Sequence, residues 1–163
     1  MDCIRNCSET KNDVFIAERA LAATDALSVR DKKIDNLSAG ERQRVIIAKA
    51  LAQEPSIIFL DEPTSHLDIG HQVMMLDMLK KFNKENDLTT VIVLHDLNLA
   101  SEYCDSLIML DDGKIFAQGT PEEVLTYQNI EKVYNTVVVV NKNPISSKPY
   151  VMLVTGKELC RRD

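Results

Sequence analysis

Three short stretches of this sequence gather side chains that could handle a phosphate group. "IIFLDEPTSHLD" (57–68) runs four apolar residues straight into two carboxylates, Asp61 and Glu62. "TTVIVLHD" (89–96) leads a β-branched, apolar run into His95 and Asp96. A carboxylate at a strand tip can hold Mg²⁺ directly or through water, while a neighbouring one orients or deprotonates an attacking water. An imidazole close by can hydrogen-bond a terminal phosphate oxygen. Taken singly, each feature has a plainer reading, because acids and histidines often sit where strands meet solvent.

"LSAGERQ" (37–43) is the third stretch. Ser38 followed by Glu41 spells a capping box, so a helix is expected to start here on structural grounds alone. The cap does not account for Gly40, which at the second helical position costs about 1 kcal/mol relative to alanine. A glycine there lets something approach the backbone closely. A helix start, with free N–H groups and the positive end of the dipole, suits a phosphate.

These groups need a scaffold. A helical pattern covers 8–27, with Val14, Ala17, Leu21 and Ala22 three to four apart, and the polar connector "RDKKIDN" follows. A second helix is expected over 39–53, stopped by Pro55. "SIIFLDE" reads as a fully buried strand, a short apolar run without alternation. Residues 71–86 read as an amphipathic helix, with Met75, Leu79 and Phe82 on one side, and "TTVIVLHD" as the next strand. Strand, helix, strand over so few residues is a parallel crossover, expected to be right-handed.

A further helix is expected over 97–103. "SLIML" and "IFAQG" flank an Asp-Gly pair and form a hairpin. Thr120, Pro121 and Glu123 announce another helix start, and "TVVVV" with "YVMLV" make a small terminal ribbon. The fold class is α/β. Ligands of open parallel sheets sit at the carboxyl ends of the strands, which is where Asp61, Glu62 and His95 are expected.

Bulk properties narrow the function. The 163 residues, 45% hydrophobic and 27% charged, suit one ordinary globular domain. A net charge of −6 argues against non-specific nucleic-acid binding. The polar start "MDCIRNCSETKND" has no apolar signal region, and no apolar run is long enough to span a bilayer. Any service to a membrane is expected to go through a partner. Cys3, Cys7, Cys104 and Cys160 read as reduced thiols, with no second pair at zinc-like spacing. His66 and His71 could in principle join His95 at a metal, but helix-face polarity explains them better. Arg42 to Arg44 with Lys49 read as a solvated helix face, and Met74, Met75 and Met78 as core filler.

Taken in order, "LSAGERQRV", "IIFLDEPTSHLD" and "VIVLHD" resemble the ATP-binding subunit of ABC transporters. "TSHLDIGHQ", "LHDLNLASEYCD" and "DGKIFAQGTPEEVL" look most like the importer branch for iron–siderophore, haem or cobalamin uptake. The resemblance covers nearly all of residues 15–155. It implies a P-loop NTPase-like parallel sheet with flanking helices, incomplete at the N-terminus, with part of the helical subdomain and a small C-terminal ribbon. It also implies three regions: 1–38 as a helical remnant and signature entry, 39–125 as the C-terminal part of the ATPase core, and 126–163 as an extension.

Residue by residue, the resemblance gives Asp61 to Mg²⁺ and makes Glu62 the catalytic base. His95 matches the switch histidine. Leu37, Ser38, Ala39, Gly40 and Glu41 match the signature motif (37–43) that contacts ATP held by the opposite subunit, and Asp68 closes the D-loop at that seam. Arg42 to Arg44 then lie near the seam as well. The implied partners are a second ATP-binding subunit and transmembrane permease subunits, with a substrate-binding protein acting indirectly. The implied place is cytoplasmic, on the inner face of the membrane.

Departures from the family pattern matter. Ala39 stands where glycine is usual and Glu41 where glutamine is common; neither removes a backbone N–H. The larger departure is that the five glycines, at 40, 70, 113, 119 and 156, nowhere fit G-x-x-x-x-G-K-[ST]. The chain resembles the C-terminal two-thirds of such a subunit, beginning after the phosphate-cradling loop. Two other readings stay open: a catalytically dead module that docks to transporter components, and a soluble ATPase of the same type outside transport.

Overall fold

A computed structural model describes residues 10–65 and 67–154, in two units divided after Val93.

In the first unit, α1 (Lys11–Ala23) begins at Thr10, whose hydroxyl accepts the Asp13 amide while the Asp13 carboxylate accepts the Thr10 amide. Those Thr10 bonds hold the Asp13 carboxyl below its usual range. The expected start at Ser8 lies outside the described residues. The expected apolar set holds only in part: Leu21 packs against the core, while Ala17 and Ala22 are exposed. Val14 is 46% exposed, whereas Ala20 is buried. The helix also stops short, because Asp25 turns into the left-handed region and a 3₁₀ turn follows at Leu27–Val29. A second 3₁₀ turn, Ile34–Asn36, occupies the connector.

Then come α2 (Ala39–Leu51), β1 (Ile57–Leu60), α3 (Ile69–Asn86) and β2 (Thr89–Ile92). β1 and β2 pair in parallel, from Ile57 opposite Thr89 to Leu60 opposite Ile92. The core joins Ile47, Ala48 and Leu51 of α2, Met75 and Leu79 of α3, Ile58 of β1, and Ala20 and Leu88. Apolar periodicity of 3.6 puts the helical members on one stripe each.

Two expectations fail here. β1 is not buried on both faces: Ile58 is 6% exposed, but Ile57 is 52% and Phe59 75%. A strand's two faces alternate, and among the described residues of this unit only the Ile58 face is packed by the core. Met74 is not core filler either, being 54% exposed one position away from buried Met75.

The second unit starts with α4 (Leu97–Tyr103), as expected. β3 (Leu107–Asp111) and β4 (Lys114–Gly119) form the hairpin, closed by Asp112 and Gly113 at φ 47° and 72°. Two positive φ values in a row are what a tight hairpin needs, and Asp-Gly supplies them with little strain. α5 (Pro121–Val124) carries the Thr120–Glu123 capping box. α6 (Tyr127–Tyr134), capped by Thr126, was not expected. β5 (Val138–Lys142) and β6 (Pro149–Leu153) pair antiparallel as the terminal ribbon. Met109, Val124, Leu125, Ile130, Val138 and Val151 form its core. Among the described residues no helix is long and apolar enough to cross a membrane.

Candidate functional site

Asp61 and Glu62 follow directly on Leu60, the last residue of β1. Parallel pairing puts the end of β2 at the same rim, and the Val93 amide still donates to the Leu60 carbonyl at 2.9 Å. Asp61 is exposed and Glu62 half-buried. Glu62 sits at φ 44°, a left-handed conformation uncommon for a residue with a side chain. Ser65 braces that corner, its amide (3.0 Å) and its hydroxyl both donating to the Glu62 carbonyl.

The loop after Glu62 is stitched to α3. The side-chain amide of Gln72 donates to the carbonyls of Thr64 and Leu67, each at 3.1 Å. Asp68 caps α3, accepting the His71 amide at 2.9 Å, with His71 Nδ1 at 2.8 Å from its other oxygen. Those His71 contacts hold the Asp68 carboxyl below its usual range. His71 thus faces a carboxylate on its own helix start. His66 lies outside the described residues, as do Cys3, Cys7 and Cys160; Cys104 is half-buried.

The expected capping box at α2 is present. Ser38 Oγ accepts the Glu41 amide at 3.2 Å, and Glu41 returns an oxygen to the Ser38 amide at 2.8 Å. The Ser38 amide, the Ser38 hydroxyl and Lys32 hold the Glu41 carboxyl down at about 2. Ala39 and Gly40 supply the first helical amides, which have no acceptor within their own helix. On Gly40, a Cβ would stand 3.7 Å from the side chains of both Leu67 and His71. That is ordinary contact, so on that side a methyl would fit. The value of the glycine therefore lies outside steric need toward α3.

Gly40 of the 37–43 stretch and Leu67 of the loop before α3 thus meet within one unit. Gly40, Arg44, Leu67, His71, Met74 and Met78 also line a cavity of about 150 Å³. This is well below the roughly 300–1,000 Å³ of small-molecule pockets, so it cannot seat a nucleotide. Arg44 Nε is buried there without a hydrogen-bond partner.

His95 is placed differently from the expectation. β2 ends at Ile92, so the strand does not deliver His95 and Asp96 directly. Asp96 instead caps α4, accepting the amides of Asn98 (2.8 Å) and Leu99 (3.0 Å), and His95 is the exposed residue just before that cap. His95 belongs to the second unit, Asp61 and Glu62 to the first.

Among the described residues no group of three or more His, Cys, Asp or Glu side chains could hold a metal. The donor set fits Mg²⁺ in the way that ion is used with nucleotides. There one or two carboxylates act with phosphate oxygens and water rather than forming an all-protein cage. Sequence reasoning missed the braces Ser65 and Gln72. It also missed the cap at Asp68, which the Asp-x-x-His run before an apolar-periodic stretch could have signalled.

Residues 4–65 match the ABC transporter family. "Probable siderophore transport system ATP-binding protein YusV" of Bacillus subtilis (strain 168) is 45% identical over 140 residues, 86% of this chain and 51% of that protein. The ferric enterobactin transport ATP-binding protein FepC of Escherichia coli (strain K12) is 43% identical over 142 residues, 87% of this chain and 52% of that protein. The chain thus spans about half the length of the curated relatives it matches. Among solved structures, cbiO1 of Clostridium perfringens, part of the complex cbiONQ, superposes with a TM-score of 0.68 at 30% identity, over 80% of this chain and 52% of that one. A metal-chelate type ABC transporter in an inward-facing conformation superposes at 0.85, over 94% and 62%; at 22% identity this speaks for the fold alone. The architecture is that of the P-loop NTPase-like ATP-binding cassette, and the chain belongs to the ATP-binding proteins of the ABC transporter family.

Proposed function

We propose that this chain is part of the ATP-hydrolysing subunit of an importer. One observation carries the reading: the capped start of α2, with Gly40, meets Leu67 of the loop that descends from Asp61-Glu62. Asp61 would hold Mg²⁺, which neutralises phosphate charge when bound. Glu62 accepts the proton of the attacking water as its oxygen bonds to the γ-phosphorus and the bond to the β-phosphate oxygen breaks. His95 donates to a γ-phosphate oxygen. Leu37, Ser38, Ala39, Gly40 and Glu41, with Asp68, face an ATP held by a second ATP-binding subunit. They act chiefly through backbone amides, so Ala39 and Glu41 are tolerated.

The names of the relatives favour an iron–siderophore complex or cobalamin as cargo. Permease subunits would hold the chain at the inner face of the cell membrane, with a substrate-binding protein acting through them. The three sequence regions, 1–38, 39–125 and 126–163, then serve as signature entry, catalytic half and extension.

These 163 residues contain no G-x-x-x-x-G-K-[ST] loop. Backbone amides and the lysine of such a loop supply much of a nucleotide's affinity. Alone, the chain binds Mg-ATP at millimolar strength or weaker, on the order of −4 kcal/mol, and does not turn it over. Ile57, Phe59, Val91 and Val93, all exposed on the parallel sheet, are the seat for the polypeptide that supplies the loop.

The test adds a loop-bearing N-terminal fragment of a relative and measures phosphate release. ATPase activity that falls by about 10²-fold or more in Glu62→Gln supports the reading. Binding without turnover at any ratio favours the docking-module reading instead. A micromolar constant for Mg-ATP on this chain alone, by calorimetry, overturns the claim about the missing loop.

A further inference from the structure

The terminal ribbon grips α4 with an unusual set of bonds. The Val151 amide donates to Asn98 Oδ1 at 2.7 Å, and Asn98 Nδ2 donates to the Val151 carbonyl at 3.1 Å. One side chain therefore satisfies both backbone groups of a β6 residue, as a neighbouring strand would. One turn further along α4, Ser101 Oγ, fully buried, donates to the Pro149 carbonyl at 2.6 Å. Lys148 Nζ donates to the carbonyls of Ser101 and Glu102, each at 2.9 Å, and so covers the C-terminal end of α4. Asn143 and Ser146, in the loop between β5 and β6, both donate to the Glu102 carboxylate. A helix of seven residues is held along its whole length by a segment about fifty residues away in sequence.

His95 immediately precedes the Asp96 cap at the N-terminal end of α4. Asp96 binds the amides of Asn98 and Leu99, which fixes the turn carrying His95 to the first turn of α4. Asn98 then fixes that same turn to β6. His95 is three residues from Asn98, a tether that can span at most about 10 Å.

We propose that Asn98 is a positioning residue: through it the terminal ribbon sets the place of His95. The inference rests on the role given to His95 above. It makes residues 138–153 a support of the proposed catalytic apparatus rather than an appendage. The bland alternative is that Asn98 merely holds the ribbon down, as Ser101 does.

The two readings separate when Asn98→Ala is compared with Ser101→Ala in the full chain. Both variants lose a bond to β6, so both lower the melting temperature. Only Asn98→Ala is expected to move and broaden the His95 ring resonances in a ¹H–¹³C spectrum, leaving those of His71 in place. Equal His95 spectra in the two variants overturn the proposal. If Asn98→Ala does not fold, Asn98→Asp keeps the acceptor for the Val151 amide, loses the donor and carries the same comparison.

Hydrogen exchange of the unmutated chain gives a second measurement. The amides of Asn98, Leu99 and Val151 are expected to exchange through one common opening. Exchange of Asn98 and Leu99 far ahead of Val151 overturns the coupling. In the completed ATPase, Asn98→Ala lowers kcat by about tenfold or more with KM for ATP held, and Ser101→Ala does not. A His95 spectrum that moves while kcat stays supports the positioning and overturns the role given to His95.

Discussion

The two terminal strands of each unit make an instructive pair. β5–β6 is antiparallel, and β6 alternates over 149–152: Pro149 and Val151 are buried, while Tyr150 and Met152 face outward. One packed face satisfies such a ribbon. β1–β2 is parallel, and both of its faces are apolar, with Ile58 buried and Phe59 75% exposed. The same number of strands is thus finished in one place and open in the other. The ribbon finds its cover within its own unit, on Met109, Val124 and Ile130 and along α4, whereas a parallel pair is written for a sheet with covers on both sides.

Five substitutions or conditions test this contrast, the largest effect first. Ile130, 1% exposed in the core of the second unit, should cost about 2–5 kcal/mol as alanine in urea unfolding. A loss under about 1 kcal/mol would mean that core is no better finished than the sheet. Ser101→Ala strips a buried bond from the ribbon and should cost about 1–3 kcal/mol by the same measurement. Ser38→Ala removes the cap of α2 and should cost about 0.5–2 kcal/mol, read as lost helicity and a lower urea midpoint.

A smaller effect comes from Glu41, whose carboxyl is held down at about 2 by Ser38 and Lys32. Its folded value lies below its ordinary one, so its contribution is full above about 4.5 and fades as pH falls toward 2. Glu41→Gln should make the acid slope shallower, leaving the part that Asp13 and Asp68 contribute. An undiminished slope in the variant would assign the effect to Asp13 and Asp68. Phe59→Ser should change unfolding stability by less than about 0.5 kcal/mol while reducing self-association in light scattering. A large destabilisation would show that the open face is already covered.

What could be read from the residues alone followed from local chemistry. Ser38 with Glu41 and Thr120 with Glu123 were legible as caps because both partners lie within one turn. Asp112-Gly113 was legible because few other pairs accept two left-handed residues. α6 was missed, although Tyr127, Ile130 and Tyr134 carry a helical spacing behind the cap at Thr126. The buried-strand reading of 57–60 failed for a different reason: a run of apolar residues states what a strand can tolerate, not which neighbours stand beside it. In the site, the carboxylates at the tip of β1 were legible from their abrupt polarity. The bonds from Asn98 to Val151 were not, since no local pattern reports a partner 53 residues away.

The left-handed turn at Glu62 has a consequence for anyone who edits this corner. A side chain resists that backbone twist by roughly 1 kcal/mol or more, and glycine does not. Replacing Glu62 by glycine should therefore relieve that twist, yet leave the chain deprived of its proposed base. Selection for sturdiness and selection for turnover pull in opposite directions at this one position.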